Sequence, residues 1–272
     1  MSILKEHIGC AEDWDIGPIT QDDLYKLIDK LKPKKSTGED GISYYHLKVF
    51  KFEIGPLLLF IINSSIVAGE FLEEWKLGKI VPIFKGKGSD RDPASYRPVT
   101  LTSVIGRIVK QAVRSQFIGV LDSKILTANQ YGFRSGSGTA KCLNNCIDEI
   151  RRHLIMGEKT AIVAVDGSCA FDLVPRDLLK ELIAAAGAGK SMMRWLEDYF
   201  TNRKQYVDIG ARSKTWTVEV GTIQGGPISP DFYNIISSTQ TLWNKFATSF
   251  QFADDDVENV SSSTEQGCNV LI

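Results

Sequence analysis

Two short apolar runs in this 272-residue chain end on aspartate, and that pair restricts the possible folds more than anything else in the sequence. Ala161-Ile162-Val163-Ala164-Val165 runs into Asp166, and Ser249-Phe250-Gln251-Phe252-Ala253 runs into Asp254-Asp255-Asp256. The first run is almost continuous, as expected of a strand buried on both faces. The second alternates polar and apolar over a few positions, the pattern of a short strand. An aspartate at a strand end is exposed yet rigidly held. Pairing of the two strands would bring the carboxylates together although 88 positions separate Asp166 from Asp254. Clustered carboxylates repel one another, and divalent cations relieve the repulsion. Mg²⁺ takes a few carboxylates and leaves coordination room for phosphates. Two such ions can activate a hydroxyl and stabilise a leaving pyrophosphate. Taken alone, Asp254-Asp255-Asp256 also reads as a plain acidic turn.

The net charge of −1 says little, but its distribution is uneven. Between Lys26 and Arg114 there are 16 Lys and Arg against 9 Asp and Glu, while both flanks are net acidic. A basic third fits a segment that touches phosphates, and equally a solvated basic surface. The longest apolar run, Pro56 to Ile62 with Ile66 and Val67 beyond, is too short for a bilayer span, and no membrane role is expected. The N-terminus lacks the charged-then-apolar pattern of a signal peptide. Cys142 and Cys146 lie four apart in a helical pattern with no matching CxxC or histidine pair, and read as buried thiols. An intracellular, reducing setting follows, in nucleus or cytoplasm.

Along the chain, Thr20 and Asp23 form a capping-box start to a helix whose apolar face ends before Pro33. Residues 43–69 read as two helices broken near Gly55-Pro56. Lys79 to Phe84 reads as a strand, and Lys85 to Pro93 as the turn of a hairpin. Helical spacing marks 102–121, 140–154, about 175–186 and 190–202. Tyr206–Ile209 and Thr215–Val220 read as a second hairpin. Ser229 fits an N-cap with Pro230 at the first helical position, followed by an apolar stripe through Trp243 and Phe246.

Several segments together resemble the reverse transcriptases of non-LTR, LINE-like retrotransposons. Phe252-Ala253-Asp254-Asp255 is similar to the family signature of an aromatic residue, Ala or Met, and two Asp. Asp166-Gly167-Ser168-Cys169-Ala170-Phe171-Asp172 resembles the preceding motif, and Gly221 to Pro230 the Gly-x-Pro-Gln-Gly-x-x-x-Ser-Pro motif between them. Tyr96 to Leu101, Gln130-Tyr131-Gly132-Phe133-Arg134 and Lys35 to Gly41 resemble upstream finger motifs. The segments stand in family order over about residues 18–257.

The resemblance implies an α+β fold: the fingers and palm of a right-hand polymerase, with a small antiparallel palm sheet and packed helices. It divides the chain into an irregular lead-in at 1–17, mainly fingers with part of the palm helices at 18–158, a palm with the catalytic carboxylates at 159–257, and a truncated tail at 258–272. It implies a catalytic metal site of Asp166, Asp254 and Asp255 with the carbonyl of Gly167, holding two Mg²⁺ or Mn²⁺ ions. Phe171 stands at the family's steric gate, Gln224 near the incoming nucleotide, and Gly225 where the backbone approaches it. Arg97 suits a triphosphate, because a guanidinium matches phosphate oxygens in a fork. Lys85 or Lys87 is the second candidate. Lys32, Lys34 and Lys35, with Phe252, would contact nucleic acid, although the lysines also read as a solvated charge run.

The expected partners are an RNA template with a DNA primer, and dNTPs. Departures from the family pattern are Thr222-Ile223 before Gln224, Phe252 in place of the commoner Tyr, Gly167-Ser168-Cys169 after the first Asp, and Asp256 as a third adjacent negative charge. The chain is expected to stop before the thumb, leaving weak or no activity in isolation and a surface open to self-association. A catalytically inert remnant that at most binds nucleic acid is the alternative.

Overall fold

A computed structural model describes residues 13–167, 170–240 and 247–263. The first described helix is α1 (Gln21–Lys30), and Thr20 caps it: its Oγ1 accepts the Asp23 N–H at 3.2 Å while the Asp23 carboxylate takes the Thr20 N–H at 3.1 Å. Helices α2 (Tyr44–Val49), α3 (Lys51–Ala68) and the short α4 (Glu73–Lys76) follow. Strands β1 (Leu77–Phe84) and β2 (Tyr96–Leu101) then form the expected hairpin, with Ile83 opposite Arg97. Helices α5 (Val104–Lys124) and α6 (Thr139–Ile155) lead into β3 (Lys159–Asp166). Next come α7 (Arg176–Ala185), α8 (Lys190–Phe200), β4 (Lys204–Val207), β5 (Trp216–Thr217) and α9 (Ser229–Ser237). Strands β6 (Ala247–Phe252) and β7 (Asp255–Ser262) complete the described elements.

One large core gathers the apolar faces of the helices, including Leu24 and Ile28 of α1, Ile62 of α3, Phe117 of α5, Leu179 of α7 and Phe232 of α9. Trp195 and Tyr199 of α8 stack at 5.2 Å between ring centroids, and Phe71 meets both edge-on. Two sheets flank this core. One has the order β2-β1-β4-β5, with β1 and β4 parallel and the other pairs antiparallel. The other is antiparallel, in the order β3-β7-β6. A small separate core of Tyr131, Cys146 and Phe250 seats α6 on it. Cys142 and Cys146 are free thiols. The chain is thus mixed α and β with a small antiparallel sheet, as expected; the parallel β1–β4 pairing was not anticipated.

Several local readings need correction. The break in residues 43–69 falls at Phe50, not at Gly55-Pro56, and α3 runs through the proline. Pro56 removes one i→i−4 hydrogen bond near the start of the helix. Gly55 lets α3 close on α1, since a Cβ there would lie 2.7 Å from Tyr25 Cε1. Because α3 is continuous, its 18 residues are long and apolar enough to cross a membrane by length and composition, contrary to the sequence expectation. Leu58, Ile62 and Ile66 of that helix are buried in the main core.

Strand β3 is not buried on both faces. Among the described residues it is an edge strand, paired with β7, and Ile162 and Val165 are exposed. Ser229 is the first residue of α9 rather than its cap; its Oγ accepts from Thr222 Oγ1 at 2.9 Å. Strand β7 runs through Ser262, across the boundary expected between palm and tail at 257/258. The first twelve residues, Ser168-Cys169, the stripe positions Trp243 and Phe246, and 264–272 of the expected tail lie outside the described residues.

Candidate active site at the carboxylate hairpin

Strands β6 and β7 join through a two-residue turn, Ala253-Asp254, closed by Phe252 opposite Asp255. Ala253 takes φ +57°, and Asp254 is not in the positive-φ region. A positive φ at the first turn residue alone is the type II′ pattern, which favours glycine. On the other side of β7, Asp166 stands directly opposite Asp255. Directly opposed residues in an antiparallel pair share a face. Just past β3, the Gly167 N–H donates to the Asp254 carbonyl at 3.2 Å. Asp166, Gly167, Asp254 and Asp255 therefore meet at one end of the sheet.

Asp256 departs from this group. One residue further along β7, it faces the opposite side and is buried, accepting from Ser249 Oγ at 2.7 Å and Gln251 Nε2 at 3.3 Å. The third adjacent acidic residue is therefore structural, separated from its neighbours by the twofold alternation of a strand. Among the described residues no three carboxylate, imidazole or thiol groups converge tightly enough to hold an ion. The backbone places Asp166, Asp254 and Asp255 together, and side-chain rotation would have to close the set. Their chemistry fits a hard divalent cation, since all three are oxygen donors. Tyr233 lies beside Asp254 and Asp255. Its phenol is pushed up to about 12, first by burial and then by Asp254, Asp256 and Asp255.

Phe171 packs between Phe133 and Tyr233, at 6.1 and 5.6 Å between ring centroids. Its carbonyl accepts the Thr222 N–H at 2.8 Å, which joins the first Asp motif to the glycine-rich loop. The Gln224 carbonyl in that loop accepts the Thr100 N–H of β2 at 3.0 Å, while the side-chain Oε1 is buried without a hydrogen-bond partner among the described residues. Gly225 takes φ +95°, and a Cβ there would touch Thr100 O and Val99 Cγ1 at 3.6 Å. Arg97 precedes Val99 by two positions, so its exposed side chain leaves β2 on the same face. Phe171, Gln224 and Gly225 are thus linked through the glycine-rich loop to β2, the strand that carries Arg97.

The remaining candidates are not drawn into this group. Lys85 lies on the exposed turn beyond β1, with Nζ donating to the Ala94 carbonyl at 2.8 Å. Lys32, Lys34 and Lys35 are exposed on the loop before α2, where Lys35 sits over the Tyr45 ring. That loop docks on the start of α5 through Gly38, where a Cβ would lie 3.0 Å from Ser103 N. Phe252 is half-buried beside the small core of α6.

With this geometry in place, residues 85–269 match the family described as reverse transcriptase (RNA-dependent DNA polymerase). The chain belongs to the reverse transcriptase family. Its relatives carry the names of mobile elements, in keeping with the non-LTR resemblance. The RNA-directed DNA polymerase from mobile element jockey of Drosophila funebris is 26% identical over 225 residues, 81% of this chain and 24% of that protein. The probable RNA-directed DNA polymerase from transposon BS of Drosophila melanogaster is 26% identical over 229 residues, covering 82% of this chain and 25% of the relative. A putative 115 kDa protein of the type-1 retrotransposable element R1DM, from the same species, is 29% identical over 205 residues, 73% and 18% respectively. The chain spans about a quarter or less of the length of these relatives.

Three residues of this reverse transcriptase site were not singled out from the sequence. Arg107 donates to the Gly225 carbonyl at 2.9 Å and to Tyr44 Oη at 2.6 Å, tying the glycine loop to α5 and α2. Nothing in its sequence context separates it from other basic residues. Tyr233 lines the carboxylates from α9 and stood outside the apolar stripe read for that helix. Gln130 lay within a quoted motif, but its partner Gln251 is 121 positions away.

Proposed function

We propose that the chain is the fingers and palm of an RNA-directed DNA polymerase that extends a primer 3′-hydroxyl with dNTPs on an RNA template. The observation that carries this reading is the pairing of Asp166 with Asp255, with Asp254 in the adjoining turn, in a chain of the reverse transcriptase family. Asp166, Asp254, Asp255 and the Gly167 carbonyl would hold two Mg²⁺ or Mn²⁺ ions. When bound, such ions activate the attacking hydroxyl and stabilise the leaving pyrophosphate. Phe171, wedged between Phe133 and Tyr233, would lie under the sugar and exclude a 2′-hydroxyl. The buried, unpartnered Oε1 of Gln224 calls for a donor, which a bound nucleotide can supply. Arg97 would take the triphosphate, with Lys85 at the hairpin tip as a second cation. Lys32, Lys34, Lys35 and Phe252 would follow the template–primer. The palm in this reading begins at residue 159 and extends through Ser262, with the fingers before it.

Isothermal titration of this chain with a dNTP and Mg²⁺ tests the reading. Binding should be metal-dependent and weakened by Asp254→Ala. Arg97→Ala should weaken triphosphate binding by about 1.5–3 kcal/mol, the range for a charge-assisted hydrogen bond. Equal nucleotide binding by Asp254→Ala and the parent chain would sink the metal assignment and favour an inert remnant.

A further inference from the structure

The turn that carries Asp254 is held from outside its own hairpin. Gln130, only 1% exposed, reaches it with both ends of its amide. Its Oε1 accepts the Ala253 N–H at 3.2 Å and the Gly132 N–H at 2.8 Å. Its Nε2 donates to the Ala253 carbonyl at 3.4 Å, Gln251 Oε1 at 3.4 Å and Ser237 Oγ at 3.2 Å. The backbone repeats the grip: Tyr131 N–H donates to the Gln251 carbonyl at 2.7 Å, and Gln251 N–H to the Asn129 carbonyl at 2.9 Å. Gly132 lies so close to the turn that a Cβ there would collide with the Ala253 backbone nitrogen. The Gly132 carbonyl is in turn held by Asn234 Nδ2 of α9 at 2.9 Å.

The residue so gripped carries an unfavourable backbone conformation. Ala253 at φ +57° sits in a region that a non-glycine residue occupies at a cost of order 1–3 kcal/mol, and only where the surroundings over-determine it. Both polar groups of Ala253 are bound by the Gln130 amide. The next two residues carry the carboxylates.

We infer that Gln130 is a positioning residue that locks the Ala253-Asp254 turn and thereby sets the direction of the Asp254 and Asp255 carboxylates. This rests on the polymerase reading above only for its consequence, metal affinity; the lock itself is a property of the fold. Gln130→Met keeps the side-chain length and removes every side-chain hydrogen bond of the lock, and Gly132→Ala presses on the Ala253 backbone and on Gln130 Oε1 at once. Both are checked for folding by circular dichroism.

Two measurements on the full chain separate the questions. Hydrogen–deuterium exchange over the β6–β7 turn reads the lock: folded Gln130→Met should exchange faster there than the parent. Should that variant fail to fold, Gly132→Ala carries the same expectation. Unchanged exchange in a folded variant overturns the inference. Mn²⁺ titration followed by electron paramagnetic resonance reads the consequence, with Asp254→Ala as control. Loss of the lock should weaken Mn²⁺ binding about 10-fold or more, the scale seen when an outer partner of a metal ligand is removed. Adding Ala253→Gly to Gln130→Met should recover most of that affinity, because glycine takes positive φ without strain. An affinity loss that glycine does not recover assigns Gln130 to packing and overturns the positioning role. If Asp254→Ala binds Mn²⁺ like the parent, the polymerase reading fails, while the exchange result still decides the lock.

Discussion

At the scale of single residues, the acidic triplet separates into two jobs by strand alternation alone. Asp255 shares a face with Asp166, and Asp256 turns inward to Ser249 and Gln251. Substitution should divide the same way. Asp255→Asn is expected to weaken divalent-ion binding with little change in melting temperature. Asp256→Ala is expected to leave metal affinity close to the parent value and to cost about 1–3 kcal/mol of stability, because Ser249 and Gln251 lose a buried acceptor. Parallel metal titrations and urea melts of the two variants check this, and the reverse pattern would contradict the assignment. Strand periodicity alone could not tell the two apart, since three consecutive aspartates leave the strand start undetermined by one position; only the family signature, which ends on Asp255, set Asp256 aside. A one-residue slip exchanges the faces.

At the scale of elements, a chain segment distant in sequence caps α8. Asp15 accepts the Met192 N–H at 2.8 Å, the Ser191 N–H at 3.0 Å and its own neighbour Ile16 N–H at 2.9 Å, and Gly189 leaves the room it needs. Burial raises this carboxyl, but the backbone N–H groups together outweigh it and leave it below the ordinary aspartate range. A carboxyl lowered in the folded state stabilises above its unfolded pKa, and the benefit is lost as pH falls through the folded value. Asp15→Ala should therefore cost roughly 1 kcal/mol at neutral pH, as loss of a helix cap does. The gap between variant and parent should close in acid, as followed by urea melts from pH 7 downward. Local elements such as α1 and the β1–β2 hairpin were legible because their signals lie within a few residues: a capping box, and a glycine-rich turn between apolar runs. The break at Phe50 was not, because Gly55-Pro56 reads locally as a helix breaker, whereas in the fold Gly55 serves the close approach of Tyr25, a contact distant in sequence. For the same reason the carboxylates and the Gln224 loop could be named from their motifs, whereas the groups that hold them, Gln130 and Arg107, could not.

At the scale of the whole molecule, basic charge is concentrated between Lys26 and Arg114 while the carboxylate hairpin lies on the acidic remainder. Binding to a primer–template should therefore weaken steeply with salt. Lys34→Ala, a change on an exposed loop, should weaken binding to all sequences alike and reduce the slope of log affinity against log salt by about 1. A slope unchanged by removing Lys32, Lys34 and Lys35 together would show that this loop is only a solvated charge run.

The parallel pairing of β1 with β4 has a bearing on how the chain reaches its native state. Strand β1 meets β2 in a hairpin, but its other edge waits for Lys204–Val207, with helices α5 to α8 and strand β3 of the second sheet made in between. Closing so long a loop costs entropy before any contact rewards it, and topologies of this kind fold slowly. During synthesis the hairpin must remain half-paired until residue 207 has emerged. Refolding from denaturant should accordingly show early helix formation, with completion of the four-stranded sheet among the last events.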